Sequence, residues 1–178
     1  MPTLVSGASV PAAHQAEIVA ALNTVATSQG VDAAAIAGII HMESVWDTRC
    51  VTGQYIGLTQ VGREFVQHLH LTRQRFLALT AAQQIGHYSD WLNYYKFKNQ
   101  MAQHGIDVAA QPVARQAAVL QAMQFAPNGQ PWKVAFARGD YSVRSTRSDQ
   151  ADALGDTSIG DMEEYYQGFF DDHPPQYA

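Results

Sequence analysis

The sequence predicts a mainly α protein that folds as a single helical domain over residues 1–178. Signals that begin and end helices recur along the whole chain, whereas sustained period-two alternation of apolar and polar residues is almost absent. With 178 residues, of which 47% are apolar, the chain is long enough to bury one substantial core. A second domain is not predicted.

The first two helices are delimited by residues of known preference. Pro11 and Gly30 mark the ends of the first, in which apolar residues recur every three to four positions. Asp32 is a favoured N-cap and begins a second helix that runs to about Ser44. After this second helix we expect at most a small β-hairpin or an irregular loop.

Residues that favour the start or the end of a helix also recur in the second half of the chain. Thr80 and Gln83 have the spacing of a capping box and begin a long amphipathic helix over residues 80–98. The polar segment 139–157, rich in Asp and Ser, is predicted to be a long surface loop. The remaining predicted helices, each introduced by Pro or Ser, span residues 112–126, 131–137 and 159–170.

Charge and composition exclude several classes of function. The 11 basic and 16 acidic residues give a net charge of −5, which disfavours binding to nucleic acid phosphates. A single cysteine excludes an internal disulfide framework and a cysteine-based zinc site. The longest apolar run, about Ala33 to Ile40, is too short to span a bilayer. Residues 1–15 have neither a basic start nor a long apolar run, so no classical secretory signal is predicted.

Glu43 stands at the end of an apolar helical face. At 100° per residue it lies within about 20° of Ile36, about 40° of Ile39 and about 60° of Ile40 around the helix. Removal of a carboxyl group from water favours its protonated form, which is the form that a general acid needs. A glutamate that reaches solvent at a helix end is the alternative that this geometry leaves open.

The residues around Glu43 carry a family resemblance. Glu43-Ser44-Val45-Trp46-Asp47, followed after a loop by Gly57-Leu58-Thr59-Gln60, resembles the signature of lytic transglycosylases of the lysozyme-like superfamily. Gln124-Phe125-Ala126-Pro127-Asn128-Gly129 is similar to the later Ala-Tyr-Asn-Ala-Gly motif of that family, and Tyr165 or Tyr166 stands where a late tyrosine lines the cleft. The resemblance covers roughly residues 12–166. Its first half is specific and its second half is loose.

The resemblance implies a lysozyme-like helical domain with a substrate cleft that binds peptidoglycan glycan strands. Glu43 would protonate the bond between MurNAc and GlcNAc and later accept a proton, so that the C6 hydroxyl of the muramic acid forms a 1,6-anhydro end. No metal or cofactor is implied. The residues that the resemblance places against the substrate are Ser44, Thr52, Gly57, Leu58, Gln60, Phe125, Asn128, Tyr165 and Tyr166.

Three departures from the family pattern leave alternatives open, and one of them is Thr59, which stands in place of methionine. Phe125 replaces a tyrosine whose hydroxyl helps to orient the acid or the substrate, so Tyr165 or Tyr166 would have to supply that hydroxyl. Thr48 replaces the usual proline. A hydrolytic muramidase, with Asp47 or Glu64 as a second carboxylate, is one alternative. The other is a non-catalytic peptidoglycan-binding or phage-tail structural module of the same fold.

Other chemistries are disfavoured by local sequence. His41 and Glu43 form a His-x-Glu pair, but the Pro-Cys-x-x-Cys partner of zinc deaminases is absent. Cys50 has no neighbour that would activate it as a nucleophile. His68 and His70 would point about 200° apart on a helix, which does not suit a shared metal ion.

The predicted target and the predicted lack of a signal together imply a delivery route. A wall-cleaving enzyme made in the cytoplasm would reach the cell wall through a phage particle, a lysis system or a contact-dependent secretion apparatus. Partners other than the glycan strands would then be the delivery machinery and an inhibitor or immunity protein.

Overall fold

The computed structural model describes residues 12–103, 105–125, 142–144 and 156–172, and these form a mainly α fold. Two short antiparallel strand pairs accompany the helices. The predicted fold class, a helical domain with a small hairpin after the second helix, is confirmed. The described helices are α1 Ala12–Gln29, α2 Ala33–Ser44, α3 Arg63–His68, α4 Arg73–Leu77, α5 Ala81–Tyr94, α6 Phe97–Gln103, α7 Val113–Phe125 and α8 Ile159–Asp172.

Helix α2 is the centre of the core. Its residues from Ala33 to Ile40 are all buried, and it packs against α1, α7 and α8. The Asp32 carboxylate accepts a hydrogen bond from the Ala34 backbone N–H at 2.7 Å, which confirms the predicted N-cap. The helix ends at Val45, which adopts a left-handed conformation at φ 49°.

A small hairpin follows α2, as predicted. Strand β1, Val51–Thr52, pairs antiparallel with β2, Tyr55–Ile56, and Gly53 turns the chain at φ +61°. Ile56 also bridges to Val61, which closes residues 57–60 into a compact turn. The hairpin therefore brings that turn back toward the end of α2.

The long helix predicted over residues 80–98 is confirmed as far as Tyr94, but its continuity to residue 98 is wrong. Thr80 and Gln83 form the predicted capping box, but the helix ends at Tyr94 and a separate one begins at Phe97. Lys96 between them has φ +57°, a conformation that cannot continue a right-handed helix. Burial of Phe97 in the core accompanies this break.

The surface loop predicted over residues 139–157 also needs correction. Its two ends contain strands β3, Ser142–Arg144, and β4, Asp156–Ser158, which pair antiparallel. Neither three-residue strand is long enough to show alternation of apolar and polar residues, so no strand was predicted there. The short helix predicted over residues 131–137 lies outside the described residues.

Helices α7 and α8 form the other main layer. They pack closely against each other, and both also contact α2. On α8 the buried residues Met162, Tyr166 and Phe170 recur at intervals of four, which gives the helix one core-facing stripe. The end of α2 therefore lies beside polar residues from α7 and α8, and these residues form the site.

Candidate functional site

Glu43 is the last residue but one of α2 and is half-buried. The three isoleucines predicted to share its face, Ile36, Ile39 and Ile40, are fully buried. The Cys50 thiol donates to the Glu43 carbonyl oxygen at 3.8 Å, which ties the following loop to this end of the helix. The carboxylate therefore emerges at the margin of the core, as its spacing predicted.

A buried glutamine holds the Glu43 carboxylate. Nε2 of Gln121, on α7, donates to Oε1 of Glu43 at 2.6 Å and to Oε1 of Gln124 at 3.3 Å. The Tyr166 hydroxyl, on α8, donates to Oε1 of Gln121 at 2.5 Å. Both Gln121 and Tyr166 are fully buried. Three helices thus meet at one carboxylate through a chain of hydrogen bonds.

Tyr88 adds a second phenol near Glu43. Its side chain on α5 is completely buried, and its hydroxyl has no hydrogen-bond partner among the described residues. Burial, followed by the negative charge of Glu43, raises the pKa of Tyr88 well above its ordinary value. The hydroxyl therefore stays protonated at neutral pH and is a hydrogen-bond donor near the carboxylate.

The turn at residues 57–60 is held by Gln84 of α5. Oε1 of Gln84 accepts from the Leu58 backbone N–H at 2.9 Å, and Nε2 of Gln84 donates to the Thr48 carbonyl at 3.0 Å. Gly57 has φ +77°, and a Cβ atom built there would lie 2.6 Å from Oε1 of Gln84. Gly57 thus allows the close approach of Gln84, whereas the resemblance implied close approach of the backbone to a sugar.

Gln60 lies at the wall of a cavity of about 280 Å³. Its Nε2 donates to the Gly57 carbonyl at 2.8 Å, while its Oε1 is buried and has no partner among the described residues. Gln124 lines the same cavity and reaches Glu43 through Gln121. The aromatic and charged residues that share this cavity are Tyr55, Arg63, Glu64, Phe65, Trp91 and Tyr95.

Such a cavity suits an uncharged polar ligand with an apolar face. Aromatic rings supply flat apolar walls, and the Gln60 oxygen is an acceptor that needs an N–H or O–H donor. Glu43 is not among the residues that line this cavity. The amide chain from Gln124 through Gln121 is the connection between the cavity and the carboxylate.

Two residues that the resemblance placed against substrate face inward instead. The Ser44 hydroxyl is buried and donates to the Ile40 carbonyl of its own helix at 2.9 Å. The Leu58 side chain is fully buried in the core. Their side chains therefore serve the helix end and the core. Thr52, in contrast, is exposed on the hairpin.

The late tyrosines have different partners. The Tyr165 hydroxyl donates to the Met42 sulfur at 2.9 Å, whereas the Tyr166 hydroxyl donates to Gln121, which in turn donates to Glu43. Tyr166 therefore supplies a hydroxyl to the hydrogen-bond network of the carboxylate, a group that Phe125 lacks. The Phe125 backbone ends α7, and its side chain and the whole of Asn128 lie outside what the structure describes.

The candidates for a second carboxylate differ in their surroundings. Oδ1 of Asp47 accepts from the Arg49 backbone N–H at 2.8 Å and so supports the turn after α2. Glu64 is exposed in the first turn of α3 and lines the same cavity as Gln60. His68 is the last residue of α3, and His70 lies beyond the helix with φ 55°. The prediction that both histidines lie on one helix is therefore wrong.

Comparison of the chain with protein-family models, with curated proteins and with solved structures finds no match. No helix in the described ranges is long and apolar enough to cross a bilayer. The site's own geometry and the motif resemblance are therefore what a functional proposal rests on.

Sequence reasoning missed Gln84, Tyr88 and Gln121. All three are buried polar residues on core helices, where burial of a polar group costs free energy unless it is hydrogen-bonded. Gln121 falls on the same helical face as the apolar residues Ala114, Ala117 and Ala118, and this out-of-pattern position was the available signal.

Proposed function

We propose that this protein is a peptidoglycan lytic transglycosylase that cleaves the bond between MurNAc and GlcNAc, with Glu43 as its acid and base. The observation that carries the proposal is the Glu43 carboxylate, half-buried at the end of a buried helix and held by a buried amide. A carboxyl group fixed at the margin of a core is suited to proton transfer, because its position is set before substrate binds.

One glutamate accounts for the whole reaction. The Glu43 carboxyl donates its proton to the glycosidic oxygen as the bond between that oxygen and C1 of MurNAc breaks. The resulting carboxylate then removes the proton of the C6 hydroxyl of the same sugar, and that oxygen forms a bond to C1. The products are a 1,6-anhydroMurNAc end and a free GlcNAc hydroxyl, and Glu43 regains its proton. No water is consumed.

The cavity beside Gln60 supports a saccharide as the ligand. Tyr55, Trp91 and Tyr95 give this cavity aromatic lining, which suits the apolar side of a sugar, and Gln60 and Gln124 add amide groups to the same lining. The place of action in this proposal is the bacterial cell wall, and the partner is the glycan strand.

A hydrolytic muramidase is the second candidate, and Glu64 is the observation that favours it. Glu64 lines the cavity together with Gln60, so it is a carboxylate on the proposed substrate surface. A hydrolytic mechanism requires a second carboxylate to activate water or to act as nucleophile. Asp47 is less suited to that role, because one of its oxygens already accepts a backbone N–H.

Digestion of purified sacculi, followed by borohydride reduction and mass spectrometry, tests the proposal. Anhydro ends resist reduction, whereas hydrolysis yields reducible ends that are heavier by one water. Glu43→Gln is expected to lower the rate by about 10² to 10⁴-fold without loss of helical circular dichroism, because the amide has nearly the same shape but cannot donate the acid proton.

Glu64→Gln is the matched control. It also converts a glutamate to its amide, and the transglycosylase proposal expects it to retain anhydro products and activity. Reducible products, together with loss of activity in the Glu64 variant, would establish the muramidase instead. A folded wild-type protein that binds sacculi and releases no fragments would leave only the non-catalytic binding module.

A further inference from the structure

We infer that Gln121 is a positioning residue that determines which oxygen of Glu43 exchanges the proton. The inference rests on the proposed function, because it concerns the same carboxyl group. It depends on three hydrogen bonds that fix the direction of the Gln121 amide and on the complete burial of that amide.

The direction of the amide follows from a backbone carbonyl. A carbonyl oxygen can only accept, so the bond from Gln124 to the Thr59 carbonyl, 3.1 Å long, must come from the Gln124 nitrogen. The Gln124 oxygen then faces Gln121 and requires the Gln121 nitrogen opposite it. That nitrogen also donates to Oε1 of Glu43. The Gln121 amide can therefore be oriented in one way only, with its nitrogen toward Gln124 and Glu43.

Tyr166 fixes the same direction from the other side. Its hydroxyl donates to Oε1 of Gln121, so the oxygen of the amide is already turned toward α8. A reversed amide would place its oxygen against the Gln124 oxygen and the Glu43 carboxylate, and two acceptors would then face each other without a proton between them. Such an arrangement is unfavourable in a buried site, because polar groups there have no water to replace the lost hydrogen bonds.

The consequence concerns the two carboxylate oxygens. Oε1 of Glu43 accepts an N–H donor at 2.6 Å, and a proton on Oε1 would weaken that bond because a protonated oxygen is a poorer acceptor. The acid proton therefore resides on Oε2, from which it is transferred to the glycosidic oxygen, and the proton of the C6 hydroxyl returns to Oε2. The Gln121 amide donates to Glu43 and Gln124, accepts from Tyr166 and is fully buried, so it acts through Glu43 and not on the substrate.

Gln121→Met tests this role, and Gln116→Met is its matched control. Methionine has a similar length and no amide. Gln116 lies on the same helix, is also buried, and accepts the Asp32 backbone N–H at the opposite end of α2. With soluble glycan strands as substrate, Gln121→Met should lower kcat by about 10²-fold with little change in KM, because a carboxyl group misplaced by about 1 Å loses that much.

Gln116→Met should lose comparable thermal stability and keep kcat within about two-fold of the wild type, since it has no contact with the carboxylate. Equal kcat values for Gln121→Met and the wild type would overturn the inference. If Gln121→Met does not fold, Tyr166→Phe takes its place, because it keeps the buried ring and removes only the hydroxyl that orients the amide. A Tyr166→Phe variant with unchanged kcat would also contradict the inference.

A spectroscopic test separates this inference from the proposed function. The side-chain amide signals of Gln121 in a ¹⁵N-labelled wild-type protein should change between neutral and acidic pH, because Gln121 donates to the Glu43 carboxylate, and that change should vanish in Glu43→Gln. Gln121 signals that do not change with pH, or that change as much in Glu43→Gln as in the wild type, would refute the positioning role. This would hold even if the protein cleaves sacculi. A protein without cleavage that shows the shift would refute only the proposed function.

Discussion

Gly57 is subject to two separate constraints. Its φ of +77° is strained for any residue with a Cβ atom, and a Cβ there would lie 2.6 Å from Oε1 of Gln84 and 2.8 Å from the Phe76 ring. Gln84 uses the same oxygen to hold the Leu58 N–H, so the clash would disturb the turn that carries Gln60. The backbone conformation and the packing thus both depend on the absence of a side chain.

Gly57→Ala is expected to lower the free energy of unfolding by about 3 kcal/mol, from backbone strain and from crowding of Gln84. Gly53→Ala is the matched control, because Gly53 also has a positive φ of +61° but has no atom within 4 Å of the added Cβ. The control should lose only about 1 kcal/mol. Urea unfolding of both variants measures the difference, and equal losses would show that crowding at residue 57 is unimportant.

Helix α2 is held at both ends by buried glutamines of α7. Oε1 of Gln116 accepts the Asp32 N–H at 2.6 Å at the start of α2, and Gln121 holds Glu43 near its end. The first turn of α2 has a further bond from the Ala34 N–H to the Asp32 carboxylate. Helix α2 is therefore anchored to α7 at both ends, and of these two glutamines it is Gln121 that contacts the Glu43 carboxylate.

Asp32→Ala should destabilise the protein by about 1 kcal/mol, because the Ala34 N–H loses its partner at the N-cap. Asp32→Asn should keep nearly the full stability, since asparagine caps about as well as aspartate. Both variants retain the backbone bond to Gln116, so their difference isolates the side-chain cap. Chemical denaturation monitored by circular dichroism at 222 nm gives the comparison. If Asp32→Asn lost as much unfolding free energy as Asp32→Ala, the side chain of residue 32 would not be acting as an N-cap.

The whole domain should respond to alkaline pH through its buried phenols. Unfolded chains ionise tyrosine near the ordinary pKa of 10.0, whereas burial raises the pKa of Tyr88 far above that value in the folded protein. Tyr95 is shifted in the same direction, chiefly by burial. Above pH 10 the folded state therefore binds more protons than the unfolded state, and stability falls as the pH rises.

Tyr88→Phe should remove the contribution of one ionisable group to the fall of stability with rising pH. The slope of the unfolding free energy above pH 10 should become shallower by about 1.4 kcal/mol per pH unit. At pH 7 the variant should lie within about 1 kcal/mol of the wild type, because the lost hydroxyl has no partner among the described residues. Thermal unfolding from pH 7 to pH 11 measures both effects. An unchanged alkaline slope would mean that Tyr88 ionises in the folded state.

Local signals in the sequence determined much of the helical framework. The cap at Asp32, the capping box at Thr80 and the apolar period through Ile36 and Ile40 depend on residues only a few positions apart. Such interactions are the same wherever a helix is placed. They are sufficient to predict where α1, α2, α5 and α7 begin, and that Glu43 lies at the margin of a buried face.

Tertiary structure alone decided the rest. The partner of Glu43 is 78 residues away in the chain, and the tyrosine that orients this partner is a further 45 residues away. The break at Lys96 and the pairing of β3 with β4 likewise depend on long-range packing. Helical periodicity predicts which face of an element is buried, but it does not predict which other face it meets, because that depends on how all the elements share one core.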